Sequence, residues 1–277
     1  MARIDGNDKA NTLNGTAWAD AIFGYGGNDT INGSGGDDYL HGGLGVDRLF
    51  AGTGNDRMNL TTCTTNYSSS NKAFEILDGG TGYDHTYLDL KGSKVEGVTT
   101  ESISITANGA GNFTVYAIAD LTDPEMGYAR IANTVSVESF ALRPDGPSLY
   151  YSGNIGGPAM NLFLTATDRA DEFVGGGESS KVDLMAGDDV LYVSMGADRF
   201  TLGEGRDTVY FNEAYNGSRD TVITDFKVGV DHLVLDGWTK ETLTVTEDRG
   251  GTILSGADDR LYLAGVKGYD DWTDFIA

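Results

Sequence analysis

Near the start of the chain a side-chain oxygen donor recurs every nine residues: Asn11, Asp20, Asp29, Asp38, Asp47 and Asp56. Oxygen donors in register are the ligand chemistry of a hard divalent cation. Each sits in the same setting. The units read GNDKANTLN, GTAWADAIF, GYGGNDTIN, GSGGDDYLH, GGLGVDRLF and AGTGNDRMN, from Gly6 to Asn59. Position 1 is glycine until Ala51 replaces it in the last unit, and position 8 is Leu13, Ile22, Ile31, Leu40, Leu49 and Met58. One Asp in a glycine-rich turn is an ordinary turn residue. A run of them in perfect register points to cation binding. The contiguous units stop at Asn59, which makes Asp56 the last acid of this run.

A nonapeptide is too short for a helix with its connections. It accommodates a turn of about six residues and a strand of about three, roughly 10 Å long. Within the strand, positions 7 and 9 point one way and position 8 the other. The apolar position 8 therefore faces inward. Positions 7 and 9 are mixed (Ala21, Thr30, Tyr39 and Arg48; Phe23, Asn32, His41 and Phe50) and face outward. Glycines in the turn allow positive φ and close backbone approach, which frees their carbonyls to point at a cation.

The units match G-G-x-G-x-D-x-U-x, the calcium-binding repeat of RTX proteins, and the chain resembles that family. The resemblance implies an all-β fold, a parallel β-roll or β-helix solenoid in which each repeat makes half a coil. Turns n and n+2 then stack, placing Asp20 over Asp38, Asp29 over Asp47 and Asp38 over Asp56, about 4.8 Å apart. Stacked carboxylates repel, and Ca²⁺ held by two of them and several backbone carbonyls removes the repulsion. Several ions are expected. The implied metal residues in this part of the chain are Asp20, Asp29, Asp38, Asp47, Asp56 and Asp84. Gly24, Gly26, Gly33, Gly35, Gly42, Asn28 and Asn55 join them from the turns.

Four segments are expected: the first array at 1–60, irregular coils with a β insertion at 61–165, a second array at 166–236, and a C-terminal cap at 237–277. A Ser/Thr/Asn-rich loop around Cys63 interrupts the first array. The pattern resumes at FEILDGGTGYDHTYLDL, where Glu75 takes an acidic place and Thr86 stands where an apolar residue belongs. Strand alternation marks Ser102 to Thr106, Asn112 to Ala119, Thr134 to Leu142 and Asn161 to Thr165. Asp123-Pro124-Glu125 has the form of a helix start.

The second array reads ATDRADEFV, GGGESSKVD, LMAGDDVLY, VSMGADRFT and LGEGRDTVY. It offers Asp171, Asp189, Asp198 and Asp207, with Ser180 opposite Asp198 as a weaker pair. RDTVITDFKVGVDHLVLDGW, from Arg219, is similar to the end of many RTX arrays. The remainder, through LYLAGV to the terminal Asp-Phe-Ile, resembles the family's closing hairpins and uncleaved secretion signal.

Composition narrows the function. With 19 basic and 42 acidic residues the chain carries −23, which argues against nucleic acid and anionic lipid as partners. Cys63 is the only cysteine and there are 3 histidines, too few for an ordinary zinc site. No apolar run reaches the length of a membrane span. The N-terminus, Met-Ala-Arg-Ile-Asp-Gly, has no apolar signal core. With the RTX resemblance, this implies an extracellular protein exported from a Gram-negative cell by a type I apparatus.

The chain contains neither H-E-x-x-H nor G-x-S-x-G. The expected role is therefore that of a non-catalytic adhesin, matrix or host-interaction protein that binds extracellular polysaccharide or a cell surface. The 14 tyrosines, among them Tyr150-Tyr151, either serve such a surface or pack inside the sheets. The alternative is a polysaccharide lyase or epimerase on a lateral groove, with Tyr83, Asp84, His85 and Arg130 as the nearest set. His85, at a degenerate turn, reads as a solvated loop residue.

Overall fold

The computed structural model describes residues 1–277 except 62–65, 68–73, 90–93, 96–97, 100–101, 110–111, 119–127, 136–138, 143–147, 153–160, 176–178, 194–195, 212–218, 240, 257–258 and 269–277. The Cys63 loop, the helix start at Asp123 and the terminal Asp274 to Ala277 lie outside these residues. Every described element is a strand, and the chain divides into two units, Met1–Ser148 and Leu149–Ala277.

The first unit is a coil of alternating strands. On one side Ala2–Asn7, Asp20–Gly26, Tyr39–Leu44, Arg57–Thr61, His85–Asp89 and Ser139–Leu142 pair in parallel, in that order. On the other, Thr12–Asn14, Thr30–Gly35, Arg48–Thr53, Glu75–Thr81 and Tyr128–Val135 do the same. That sheet then continues antiparallel through Asn112–Ile118 to Ser102–Gly109. The expected strand from Thr134 to Leu142 is thus two strands on opposite sheets. A small sheet joins Asn66–Tyr67, Lys94–Val95 and Val98–Thr99.

Ile22 pairs with Leu40 and Leu13 with Ile31, a register of two nonapeptides. Ile22, Ile31, Leu40, Leu49 and Met58 are buried. Burying each such side chain contributes roughly 1.5–3 kcal/mol, and Leu60, Leu77, Leu88 and Phe140 extend the same buried wall. The longer loop does not break this stacking. Leu49 pairs with Leu77 and Met58 with Thr86, so Thr86 takes the inward place of its coil and is fully buried.

The second unit repeats the plan with shorter strands. Ser148–Ser152, Glu172–Val174, Val190–Tyr192, Thr208–Tyr210 and His232–Val234 form one parallel stack. Asn161–Thr165, Ser179–Asp183, Arg199–Thr201, Arg219–Ile223 and Asp259–Ala264 form the other. Two antiparallel strands, Gly251–Gly256 and Thr244–Glu247, close it. The core here adds aromatic rings, Tyr151, Phe173, Phe200 and Phe211, to the leucines and valines. Tyr151 is fully buried and stacks on Phe173 at 4.5 Å, so it packs inside and belongs to no surface.

Candidate metal centre

The sixth-position acids form buried columns joined by their own hydrogen bonds. The Oδ1 of each accepts the backbone N–H one coil back: Asn11 donates to Asp29, Asp20 to Asp38, Asp29 to Asp47 and Asp38 to Asp56, at 2.7–2.8 Å. The columns run on across the interruption, where Asp47 donates to Glu75 and Asp56 to Asp84. In the second unit Asp171 donates to Asp189, Ser180 to Asp198, Asp189 to Asp207 and Asp207 to Asp231. The n and n+2 pairs expected from the sequence are therefore neighbours. Glu75 and Asp231 complete the columns. Glu75 announces itself in the sequence only by preceding Ile76-Leu77, and Asp231 only by its place in the segment after Arg219.

One hydrogen bond does not compensate these acids for leaving water. Burying a carboxylate costs several kcal/mol, and a charge-assisted N–H bond returns about 1.5–3 kcal/mol. The second oxygen, Oδ2, of Asp29, Asp38, Asp56, Asp189 and Asp207 is buried and accepts no hydrogen bond. Burial, with the charges of Asp56 and Asp20 added, pushes the Asp38 carboxyl up to about 6. Burial and Asp29 push Asp47 to about 6. Burial with Asp171 and Asp207 takes Asp189 to about 8, and burial with Asp47 takes Glu75 to about 9. Asp29 and Asp56 are raised as well, chiefly by burial. These columns demand either protons or a cation.

The surrounding atoms suit a cation. A Cβ placed on Gly33 would lie 2.4 Å from Asp38 Oδ2 and 2.5 Å from the Ala51 carbonyl oxygen; on Gly24, 2.2 Å from Asp29 Oδ2 and 2.4 Å from the Gly42 carbonyl oxygen. On Gly42 it would meet Asp47 Oδ2 at 2.2 Å. At Gly24, Gly33 and Gly42 a carboxylate oxygen and, at the first two, the stacked coil's carbonyl occupy the space a side chain would take, while Ala51 shows that the last unit accommodates a methyl group there. Among the described residues no three acidic, imidazole or thiol groups converge. A cation here would be held by column carboxylates together with the carbonyls beside them, an all-oxygen set that fits Ca²⁺. In the second unit Leu184, Val193, Leu202 and Phe211 fill position 1 and are buried, so its columns border apolar side chains.

The other turn residues sit apart from the columns. Asn28 Oδ1 accepts the Val46 N–H at 3.0 Å and Asn55 Oδ1 accepts the Tyr83 N–H at 2.9 Å, bracing successive coils near the surface. Gly26 and Gly35 face Asp8 and Thr53 rather than a column acid.

The RTX calcium-binding nonapeptide repeat matches the chain in four copies, over residues 5–40, 23–58, 165–200 and 174–209. These arrays are RTX calcium-binding repeats. The RTX arrays supply the columns of both units, and Glu75 and Asp84 extend the first beyond its matched residues. No curated protein matches the chain. Among solved structures, the extracellular lipase LipA from Serratia marcescens aligns at 14% identity with a TM-score of 0.25. The alignment covers 99% of this chain and 40% of the lipase chain, and so weak a likeness carries no argument about activity.

One further feature lies on the outer face of the first RTX unit. Strand register aligns Tyr39, Arg57 and His85 in one row and His41, Asn59 and Tyr87 in the next. Tyr39, Arg57, Asn59, Tyr83, His85 and Tyr87 line a cavity of about 580 Å³. His85 is on a strand, half-buried, with Nδ1 2.8 Å from Ser139 Oγ, which corrects its reading as a solvated loop residue. Burial and the nearby Arg57 charge hold its pKa below the ordinary value.

Proposed function

We propose that this is a secreted calcium-binding RTX protein that folds on Ca²⁺ outside the cell and acts there as a non-catalytic glycan-binding protein, exported by a type I apparatus. Calcium-driven folding rests on the buried columns with their open carboxylate oxygens. Secretion rests on the RTX repeats. The glycan reading rests on the cavity over Arg57. Aromatic faces at Tyr39, Tyr83 and Tyr87 suit the apolar face of a sugar ring, while Arg57, Asn59 and His85 supply hydrogen-bonding groups for its hydroxyls or a carboxylate. Tyr83 is 44% exposed, so a ligand reaches it directly.

A panel of uronate and neutral glycans, offered to the calcium-loaded protein, tests this. Binding is expected, with Tyr83→Ala and Tyr87→Ala each weakening it about three- to tenfold at unchanged circular dichroism. Absence of binding to every glycan would remove the proposed role. The enzyme reading is favoured by Tyr83 and His85 lining one cavity, and new unsaturated or reducing ends in the same panel would establish it. Asp84 is not available to such a site, because it is fully buried in the carboxylate column.

A further inference from the structure

Where the residue four positions earlier is described, the column acids sit in two kinds of turn that this residue distinguishes. Before Asp29, Asp38, Asp56, Asp189 and Asp207 that residue is left-handed: Tyr25 (φ 74), Ser34 (φ 78), Gly52 (φ 111), Met185 (φ 76) and Gly203 (φ 99). In each of these five the Oδ2 is buried and accepts no hydrogen bond. Gly43 (φ 102) and Gly80 (φ 88) give Asp47 and Asp84 the same turn. A left-handed residue carries its N–H away from the acid. Tyr25, Ser34 and Met185 hold that conformation without being glycine, a strain of roughly 1–2 kcal/mol each.

In the other turns the residue four back donates to the acid. Thr16 gives Asp20 Oδ2 its N–H at 2.7 Å and its hydroxyl at 2.8 Å, while Ala2 holds Oδ1. Thr167 gives Asp171 its N–H at 2.8 Å and its hydroxyl at 2.9 Å, while Leu149 holds Oδ1. Lys227 N–H closes Asp231 Oδ2 at 2.7 Å, and Asn7 N–H closes Asn11 at 2.7 Å. The residue two before the acid differs as well, except at Asp231, whose closed turn carries Gly229 (φ 80) there. It is Gly27, Gly36, Gly54, Gly187 and Gly205 in open turns, all at positive φ, against Lys9, Trp18 and Arg169 in closed ones.

We propose that Thr16 and Thr167 replace the cation at the first acid-bearing coil of each RTX array, so that Asp20 and Asp171 hold no calcium and serve as metal-independent caps. Each carboxylate has donors on both oxygens, and those donors occupy the approach a cation would use. Asp20 and Asp171, metal residues by sequence, thereby leave the ligand set. Each array begins on a coil that the protein completes by itself, giving the first calcium-bearing coil a formed edge to stack on.

This rests on the calcium reading, and the arms below separate the two. Calcium stoichiometry is measured by calorimetry and by metal analysis of gel-filtered protein, for wild type, Asp20→Asn, Asp38→Asn and the double variant Thr16→Gly/Trp18→Gly. Asp38→Asn should bind fewer ions than wild type, and Asp20→Asn the same number. The double variant, which rebuilds an open turn before Asp20, should bind one more ion. A loss in Asp20→Asn equal to that in Asp38→Asn overturns the cap, as does a folded double variant with no added ion. If wild type binds no calcium, the calcium reading itself falls.

Discussion

The backbone N–H of Asp56 donates to Asp84 Oδ1 at 2.9 Å, across 28 residues of sequence. Asp56 ends the contiguous nonapeptides, yet it does not end its column. It has Asp38 on one side and Asp84 on the other, as Asp38 has Asp20 and Asp56. Both lie in open turns. Asp20 is closed by Thr16 whereas Asp84 follows a left-handed glycine, so Asp56→Ala should lower calcium stoichiometry at least as much as Asp38→Ala does. Calorimetric titration of the two variants checks this, and a clearly smaller loss for Asp56→Ala would mean that Asp84 takes no part.

Removing calcium should unfold the arrays. The hydrophobic wall is only one or two side chains wide per strand, as at Ile22 or at Met58 and Leu60, and it stands against several buried like charges per unit. Chelation is expected to abolish the β signal in circular dichroism, and calcium at roughly 10⁻⁴–10⁻³ M should restore it. Identical spectra in EDTA and in calcium would refute this.

The pH dependence reverses with calcium. In the calcium-free fold Asp38 and Asp47 lie at about 6 and Asp189 at about 8, above an unfolded value near 4. The folded state then binds more protons than the unfolded one, so stability falls as pH rises from about 4 through those values. Calcium-free protein should be more compact at pH 5 than at pH 8 by small-angle scattering. With calcium bound the acids are held ionised, and acidification through pH 6 should weaken calcium binding because protons compete for the same oxygens.

Two adjacent residues should respond oppositely to small changes. Gly33→Ala puts a Cβ against Asp38 Oδ2 and the Ala51 carbonyl and should destabilise by about 1–3 kcal/mol while weakening calcium binding. Ser34→Gly relieves a left-handed serine and should be neutral or stabilising by up to about 1 kcal/mol. Calcium-saturated thermal melts separate them, and equal losses would contradict the turn geometry.

The nonapeptide period by itself determined the all-β coil, the inward row of Ile22, Leu40 and Met58, and the identity of the column acids, because strand alternation and turn length are local properties of nine residues. It also placed Asp198 opposite Ser180. It marked Glu75 and Asp84 as acidic places as well, but their stacking and the features that follow were settled only by the tertiary structure. Asp84 and Glu75 extend the first columns because stacking depends on register between coils, and a coil tolerates extra residues in its loop. Tyr151 is buried because its strand pairs with Glu172–Val174, and His85 lies on a strand because Arg57–Thr61 pairs with it. The groove over Arg57 joins residues from three coils that no local pattern connects. Which acids remain open to a cation also escaped the repeat. Asp20 and Asp38 occupy the same position of the nonapeptide, and the backbone conformation at Thr16 and Ser34 decides whether an N–H meets the second oxygen or leaves it open.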